Sequence, residues 1–288
     1  MKFGSREEKM GIILILPMIL YVMGMILFPF CMNIWLSFHE KKIGMPAIFV
    51  GFANYLYWLK NPVFFKVLGN TLIYTIATIA FKFILGLGAA LLLNRNFRGR
   101  DFFRVFFLIP WILPTIVTCF TWRWLYDDMV GVFNFLLTKI NLTPVPWLSN
   151  SSLALASVIV VNIWRGFPFF GILLLAGLQS IPEQLYDAAK VDGANKTQCF
   201  LHITLPGIKK IAMIAILLST IWTFNDFEIV FLLTRGGPGY DSMILVPFVY
   251  EIGIRGQHIG KAITFPVMVF PILLGLIFVT SKIIFRER

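Results

Sequence analysis

The sequence has few cysteines and lacks the phosphate-binding motif of nucleotide-hydrolysing proteins. Cys31, Cys119 and Cys199 are scattered and odd in number, so they give neither a metal-ligand spacing nor a disulfide framework. No G-x-x-x-x-G-K-[ST] loop occurs, because Gly260 and Lys261 lack both the earlier glycine and the following serine or threonine. The chain is therefore not expected to bind ATP by that route.

Catalytic and metal-binding patterns are missing as well. We find neither a nucleophile elbow nor a metal-helix motif in the sequence. His39, His202 and His258 lie far apart in different loops, where lone histidines are usually solvated. We therefore expect no catalytic residues, no metal site and no cofactor in this chain.

Long apolar runs dominate the 288 residues, of which 58% are hydrophobic. Soluble domains have a lower apolar content, so a polytopic membrane protein is expected. The net charge of +11 could indicate nucleic-acid binding. Most cations lie in short segments between apolar runs, however, which is typical of cytoplasmic loops. We therefore expect no nucleic-acid partner.

Six apolar runs predict six transmembrane helices in one all-α domain covering residues 1–288. The uncharged run 10–38 is too long and too bulky for a cleaved signal peptide, so it is interpreted as the first span. Each run has about the length that a hydrocarbon core of ~30 Å requires. The other five predicted spans are 71–93, 105–122 (interrupted by Pro110 and Pro114), 153–178, 208–233 and 262–280.

Two further features complete this membrane interpretation. A short interfacial helix is predicted near residues 54–59. Four arginines fall in segment 94–104, and the positive-inside rule then predicts cytoplasmic termini and a cytoplasmic location for residues 181–206. The expected location is therefore the cell membrane, crossed several times.

Residues 181–206 form a long polar stretch between two apolar runs. Pro182 followed by Glu183 suits the start of a helix, since proline fits the first turn and an acid suits the positive end of the helix dipole. Gly193 is expected to end that helix. The helix would carry a small, mostly aliphatic face made by Leu185, Ala188, Ala189 and Val191.

The spacing in this stretch resembles the coupling motif of ABC importer permeases, E-A-A-x3-G-x9-I-x-L-P. Asp187 stands where the motif has glutamate, so the acid is kept with a shorter reach. The flanking residues are similar to the carbohydrate branch of the family. The residues matched in the motif and its flanks are Tyr186, Asp187, Ala188, Ala189, Asp192, Gly193, Ala194, Ile203, Leu205 and Pro206.

This resemblance implies a type I importer fold, with a five-helix core and one N-terminal span. It also implies that the short helix docks on separate cytoplasmic ATPase subunits, which bind the ATP. Ala188 and Ala189 would allow close approach, and Gly193 would let the backbone turn without strain. A second permease chain would complete the pore, and an extracytoplasmic solute-binding protein would deliver a sugar.

Ionisable residues within spans are costly in lipid and usually face a cavity or a partner. Lys82, Arg165, Asp226 and Glu228 are of this kind. The two acids are interpreted as ion-pair partners of Arg165 or Lys82, or as polar lining at the mouth of a pathway. Lys82 could also snorkel toward the membrane surface.

A set of residues on the fourth and fifth spans is similar in placement to the sugar site of the family's maltose transporters. An aromatic face beside hydroxyl and amide groups suits a sugar, which has an apolar ring face and a rim of hydroxyls. The alternative is that these residues only pack and hydrogen-bond between helices. The predicted substrate-path residues are Asn162, Arg165, Gly166, Phe169, Ser219, Trp222 and Thr223.

Other interpretations stay open at this stage. Arg165 motivates an ABC importer for an anionic solute, such as a sugar acid or glycerol phosphate. The intramembrane charges motivate an ion-coupled secondary carrier, while a membrane-embedded enzyme lacks a catalytic pattern. Segment 235–240 resembles the family's glycine-rich periplasmic loop, which would touch the binding protein or enter the cavity; a plain tight turn is the alternative.

Overall fold

The structure is a computed structural model that describes residues 6–285, and it is dominated by helices. The predicted cytoplasmic termini include Lys2, Arg286 and Arg288, which lie outside the described residues. In chain order the α-helices are α1 Arg6–Val22, α2 Phe28–Ser37, α3 Ala53–Lys60, α4 Pro62–Leu93, α5 Arg100–Ile112, α6 Thr115–Leu125, α7 Val132–Lys139, α8 Ala154–Gln179, α9 Glu183–Val191, α10 Lys196–Cys199, α11 Leu205–Phe224, α12 Glu228–Leu233, α13 Leu245–Tyr250 and α14 Ile259–Phe285.

Short non-α elements join some of these helices. π-helical turns at Met23–Leu27, Phe200–Thr204 and Glu251–Arg255 continue the helices before them. Strands β1 (His39–Glu40) and β2 (Ile48–Phe49) pair antiparallel. A helix predicted near residues 54–59 is confirmed as α3, while its interfacial location stays a prediction.

Helix length and composition support four or five of the six predicted spans within residues 6–285. Four helical stretches are long and apolar enough to cross a membrane, and α5 and α6 together make a fifth if this bent pair is one span. The sixth predicted span corresponds to α14, which is apolar over Ile259–Gly275. The four long stretches are Met10–Ser37, Pro62–Leu93, Ala154–Gln179 and Lys196–Phe224.

The third predicted span is sharply bent. Helices α5 and α6 meet at an angle of 91°. Leu113 has an extended backbone (ψ 136°) because the ring of Pro114 excludes the helical conformation of the residue before it. Pro110, the other expected interruption, stays inside α5.

The fifth predicted span, 208–233, is not continuous. Helix α11 ends at Phe224, and the chain leaves the helix at residues 225–227 before α12 begins. The side chain of Asn225 turns back and donates to the carbonyl of Ile221 at 2.8 Å. The break places Asp226 beside α4 and α8, where it makes the contacts described below.

The chain divides into two compact units. The first comprises the described residues up to Pro62 together with Val249–Pro271, and the second comprises Val63–Phe248 and the described residues from Ile272. Inside the first unit, the indole of Trp58 donates to the carbonyl of Lys261 at 2.7 Å, and Thr264 donates to the carbonyl of Ser37 at 3.1 Å. The predicted single-domain organisation stays a prediction.

The second unit has two apolar clusters that hold α4, α8 and α11–α12. One contains Val158, Val161 and Val230, each fully buried. The other contains Phe170 and Leu174 of α8, also fully buried, with residues of α4 and α11 around them. Polar side chains lie at the boundary between these clusters, which is where the candidate site is found.

Replacing Gly86 with alanine is expected to destabilise the packing of α4 against α8. A Cβ at Gly86 would lie 2.5 Å from the Cβ of Phe170 and 3.0 Å from the backbone nitrogen of Gly171. Backbone and Cβ atoms move only with their helix, so the overpacking should cost about 1–3 kcal/mol and lower the thermal unfolding temperature of the purified chain. Gly88→Ala is the matched control, because nothing lies within 4 Å of its added Cβ. Equal unfolding temperatures for the two variants would contradict close packing at Gly86.

Candidate functional site

A cavity of about 310 Å³ opens among α4, α5, α8, α11 and the segment that follows α11. All seven predicted substrate-path residues line this cavity, together with Lys82, Asp226 and Glu228. The structure therefore brings these residues together, while their role toward a substrate stays a prediction. The seven are Asn162, Arg165, Gly166 and Phe169 on α8, and Ser219, Trp222 and Thr223 on α11.

One wall of the cavity is aromatic. The rings of Phe169 and Trp222 meet edge to face with centroids 5.0 Å apart, and the ring centroid of Trp111 lies 6.3 Å from that of Phe169. Trp222 is 54% exposed, so much of its indole is not covered by this chain. Such a surface can contact the apolar face of a sugar ring.

The cavity lining also includes a buried hydrogen-bond network centred on Asp226. The hydroxyl of Tyr74 donates to Asp226 Oδ2 at 2.6 Å, and the amide of Asn162 donates to the same oxygen at 2.7 Å. The Asn162 amide also lies 2.5 Å from the Tyr74 hydroxyl oxygen. The backbone N–H of Ile229 donates to Asp226 Oδ1 at 3.3 Å. The network therefore links α4, α8 and the break after α11.

Lys82 crosses the cavity wall from α4 toward α11. Its side chain is buried, and Nζ donates to Thr223 Oγ1 at 3.5 Å. A Cβ at Gly166 would overlap the end of the Lys82 side chain, so the glycine makes room for the ammonium group. Gly166 thus has a packing role that its resemblance-based assignment did not predict.

The predicted ion pairs are not formed. Among the residues that the structure describes, no nitrogen–oxygen distance within 4.0 Å joins Asp226 or Glu228 to Lys82 or Arg165. Asp226 uses its oxygens for Tyr74, Asn162 and the backbone instead. The other interpretation, in which the two acids are polar lining, agrees with their position in the cavity wall.

Two buried polar atoms of the cavity residues have no hydrogen-bond partner within this part of the chain: Nε of Arg165 and Oδ1 of Asn162. A buried donor or acceptor without a partner costs about 1–3 kcal/mol. One is a donor and the other an acceptor, so a ligand carrying hydroxyl groups could satisfy both.

The second candidate region is the polar stretch 181–206, and its predicted local structure is confirmed. Helix α9 begins at Glu183, directly after Pro182. Gly193 has a φ of +82°, which favours glycine because it lacks a Cβ. Asn195 and Gln198 then form a reciprocal capping box at the start of α10, with bonds of 2.9 and 2.7 Å.

One side of this stretch is anchored to the protein. The hydroxyls of Tyr186 and Thr204 lie 3.0 Å apart. Tyr186, Ile203 and Leu205 pack against the apolar cluster that contains Ile181 and Ile208. These three residues of the predicted coupling motif and its flank therefore fix the position of α9, and the chain partly covers them.

The other side of α9 is uncovered. Val191 is 88% exposed, and Leu185 and Ala188 are exposed as well, while Ala189 is half-buried. The carboxylate of Asp187 accepts a hydrogen bond from Lys190 at 2.9 Å on the exposed surface, which raises the pKa of Lys190 above its usual range. The small apolar face predicted on α9 is thus present and open to a partner.

The glycine-rich segment 235–240 is a compact turn. Four of its six residues have positive φ angles: Arg235, Gly236, Gly239 and Tyr240. Side chains of α4 hold the turn, with Lys66 donating to the Gly239 carbonyl and Asn70 to the Tyr240 carbonyl, both at 3.0 Å. The tight-turn interpretation fits these contacts, and a contact with a binding protein stays a prediction.

Sequence reasoning missed Tyr74, which makes the shortest bond to Asp226 from another element. A signal was available, because buried polar residues recur at helical spacing along α4, at Thr71, Thr75, Thr78 and Lys82. Such a stripe in an apolar helix indicates a face turned toward protein or a cavity. Tyr74 lies eight residues before Lys82, on the same side of the helix.

Comparison with known proteins gives concordant findings. A family model described as "Binding-protein-dependent transport system inner membrane component" matches residues 82–286. The chain is 37% identical over 286 residues to the trehalose/maltose transport system permease protein MalF of Thermococcus litoralis, covering 98% of this chain and 96% of that protein. It is 31% identical over 280 residues to the sulfoquinovosyl glycerol transport system permease protein SmoG of Agrobacterium fabrum, covering 96% of this chain and 91% of that protein.

Solved structures show the same fold. A chain from the crystal structure of a bacterial ABC transporter involved in the import of the acidic polysaccharide alginate matches with a TM-score of 0.83 at 22% identity, covering 98% of this chain and 97% of that chain. A second structure of the bacterial alginate transporter, in complex with an alginate pentasaccharide-bound periplasmic protein, matches with a TM-score of 0.82 at the same identity.

Proposed function

Because the chain belongs to the family of binding-protein-dependent transport system inner membrane components, we propose that it is a permease subunit of an ABC importer for sugars. It is a multi-pass membrane protein of that family. The observation that carries the sugar assignment is the cavity, whose lining combines the Phe169–Trp222 aromatic pair with the polar groups of Asn162, Ser219 and Thr223. The relatives named for trehalose, maltose and sulfoquinovosyl glycerol support it.

The proposal includes the partners of this subunit. An extracytoplasmic solute-binding protein delivers the sugar, a second permease chain completes the pore, and cytoplasmic ATPase subunits bind the ATP. This chain is then not an enzyme and holds no cofactor itself. The exposed face of α9 supports docking to the ATPase. The proposal also places both termini in the cytoplasm and treats residues 1–288 as one permease domain. Family membership favours this assignment over an ion-coupled secondary carrier.

The proposed coupling follows from the anchoring of the polar stretch. Tyr186 and Leu205 tie α9 to the apolar cluster at the C-terminal end of α8 and the N-terminal end of α11. A displacement of α9 by a closing ATPase would therefore be transmitted to the two helices that carry the cavity residues. Alternating access would arise from their movement relative to the second permease chain.

The variant Trp222→Ala tests the sugar site. Loss of an aromatic surface that contacts a sugar should weaken solute-stimulated ATPase activity of the assembled complex by about tenfold, since such a contact contributes roughly 1.5 kcal/mol. The matched control is Trp124→Ala, because Trp124 is 55% exposed and lies outside the cavity lining. An unchanged response in Trp222→Ala, or an equal loss in both variants, would remove Trp222 from the substrate path.

An anionic sugar is a second candidate solute, and the cations of the cavity favour it. Lys82 and Arg165 both line the cavity without an ion pair among the described residues, and Nε of Arg165 has no partner there. A sugar carboxylate or sulfonate could pair with them. Competition of a neutral disaccharide and a sugar acid for uptake by the complex separates the two candidates, because inhibition by the acid alone would select the anionic solute.

A further inference from the structure

The segment between α4 and α5 is strongly basic, and we call residues 94–104 the arginine elbow. It contains Arg95, Arg98, Arg100 and Arg104 against one acid, Asp101. Two of the arginines are engaged within the fold: Arg100 donates to the Asn96 side chain at 3.0 Å and Arg104 to Asp101 at 3.4 Å. With its amide oxygen turned toward them, Gln179 accepts from both at 3.0 and 3.2 Å.

The other two arginines have no such role. Arg95 and Arg98 are exposed, and neither side chain makes a hydrogen bond or an ion pair within the described residues. Helix α5 begins at Arg100, and its N-cap residue Gly99 gives no side-chain cap, so the positive end of the helix dipole adds to the local potential. The arginine elbow therefore has two exposed positive charges that no acidic side chain of the described residues neutralises.

An apolar cleft of about 710 Å³ lies next to this charge. Leu92, Phe97, Phe103 and Phe106 line it, and Arg95 stands in its wall. Leu92, Phe103 and Phe106 are each more than half exposed. The cleft lies at the C-terminal end of the apolar stretch Pro62–Leu93. In a membrane-spanning chain, the end of such a stretch lies near the boundary between the hydrocarbon core and the lipid headgroups.

We propose that the arginine elbow and this cleft form a binding site for an anionic phospholipid. The headgroup phosphate binds Arg95 and Arg98, because guanidinium groups hold phosphate oxygens through paired, charge-assisted hydrogen bonds. An acyl chain lies along the phenylalanines of the cleft. Charge complementarity selects this occupant, since basic clusters at the end of a span attract anionic lipid. A free phosphate ion would leave the apolar cleft uncovered, and a zwitterionic lipid would leave the arginines uncompensated.

The test is native mass spectrometry of the full chain, released from detergent micelles that contain equal amounts of phosphatidylglycerol and phosphatidylcholine with the same acyl chains. The unchanged chain is expected to retain phosphatidylglycerol in preference to phosphatidylcholine. The double variant R95Q/R98Q should retain about 25-fold less phosphatidylglycerol, since each cation at a membrane surface contributes about fivefold in affinity. An excess of inorganic phosphate should not displace the lipid.

The matched control is R123Q/K139Q, which removes the same charge from two exposed positions away from the elbow. Its lipid retention should equal that of the unchanged chain. Equal retention of the two lipids, or equal loss in the two double variants, would overturn the proposal, and so would displacement by phosphate. Finding the cleft covered by a partner subunit in the assembled complex, with assembly lost in R95Q/R98Q, would also overturn it.

Discussion

The variant Gly193→Pro is expected to lower solute uptake by roughly tenfold or more, because proline at an incompatible backbone position costs about 3 kcal/mol or more. Gly193 has a φ of +82°, whereas a proline ring fixes φ near −65°. The substitution also removes the N–H that donates to the Lys190 carbonyl at 3.1 Å. The turn after α9 must then open, and α9 loses its orientation relative to α10.

Membrane insertion should survive this change, because Gly193 lies outside the apolar spans and no atom lies within 4 Å of an added Cβ. Yield in the membrane fraction and uptake in cells are the two measurements. Gly193→Asn is the matched control, since asparagine tolerates the left-handed conformation far better than proline. It should keep most of the uptake. Normal transport by Gly193→Pro would remove the polar stretch from the coupling mechanism.

The polar stretch was predictable because its structure depends on local chemistry. Pro182 starts α9 and Gly193 ends it through conformational preferences that act over a few residues. The exposed face of α9 likewise follows from helical spacing alone. Long apolar runs gave the approximate positions of α4 and α8 for a similar reason, although α4 begins at Pro62, nine residues before its predicted start.

The interruptions of the third and fifth spans were harder to predict. The third span contains two prolines, and the sequence does not tell which of them breaks the helix. The structure shows that the helix continues through Pro110 and bends at Pro114, where Leu113 is extended. In the fifth span the break coincides with the tertiary contacts of Asp226. Its partner Tyr74 lies 152 positions away in the sequence, and no local pattern links the two residues.

The cavity was predictable in part. Resemblance placed the seven residues on α8 and α11, and the structure brings them together. The contribution of α4 was anticipated only through Lys82, because the way Lys82 passes Gly166 and Tyr74 reaches Asp226 depends on tertiary contacts. Of the two interpretations of the acids, ion pairing was wrong for the same reason, whereas polar lining agrees with the structure. Neutral hydroxyl and amide donors fill the hydrogen-bonding positions of the Asp226 carboxylate, whereas the sequence suggested only Lys82 and Arg165 as partners.

Asp226→Ala is expected to destabilise the purified chain by about 2–4 kcal/mol, because it leaves two buried donors without an acceptor. The hydroxyl of Tyr74 and the amide of Asn162 both donate to Asp226 Oδ2. Both residues are buried in the structure, so water does not readily replace the carboxylate. The variant should therefore have a clearly lower thermal unfolding temperature and lower uptake.

Asp226→Asn separates the hydrogen bonds from the charge, because its amide oxygen can accept the same two bonds at nearly the same position. If the network acts mainly through these bonds, Asp226→Asn restores most of the thermal stability that Asp226→Ala loses. Asp128→Ala is the control for loss of a carboxylate at an exposed position, where Asp128 accepts one bond from Ser149 at 2.8 Å. Equal unfolding temperatures for Asp226→Ala and Asp128→Ala would show that the network does not hold α4 and α8 to the break after α11. The cavity wall would then depend on apolar packing alone.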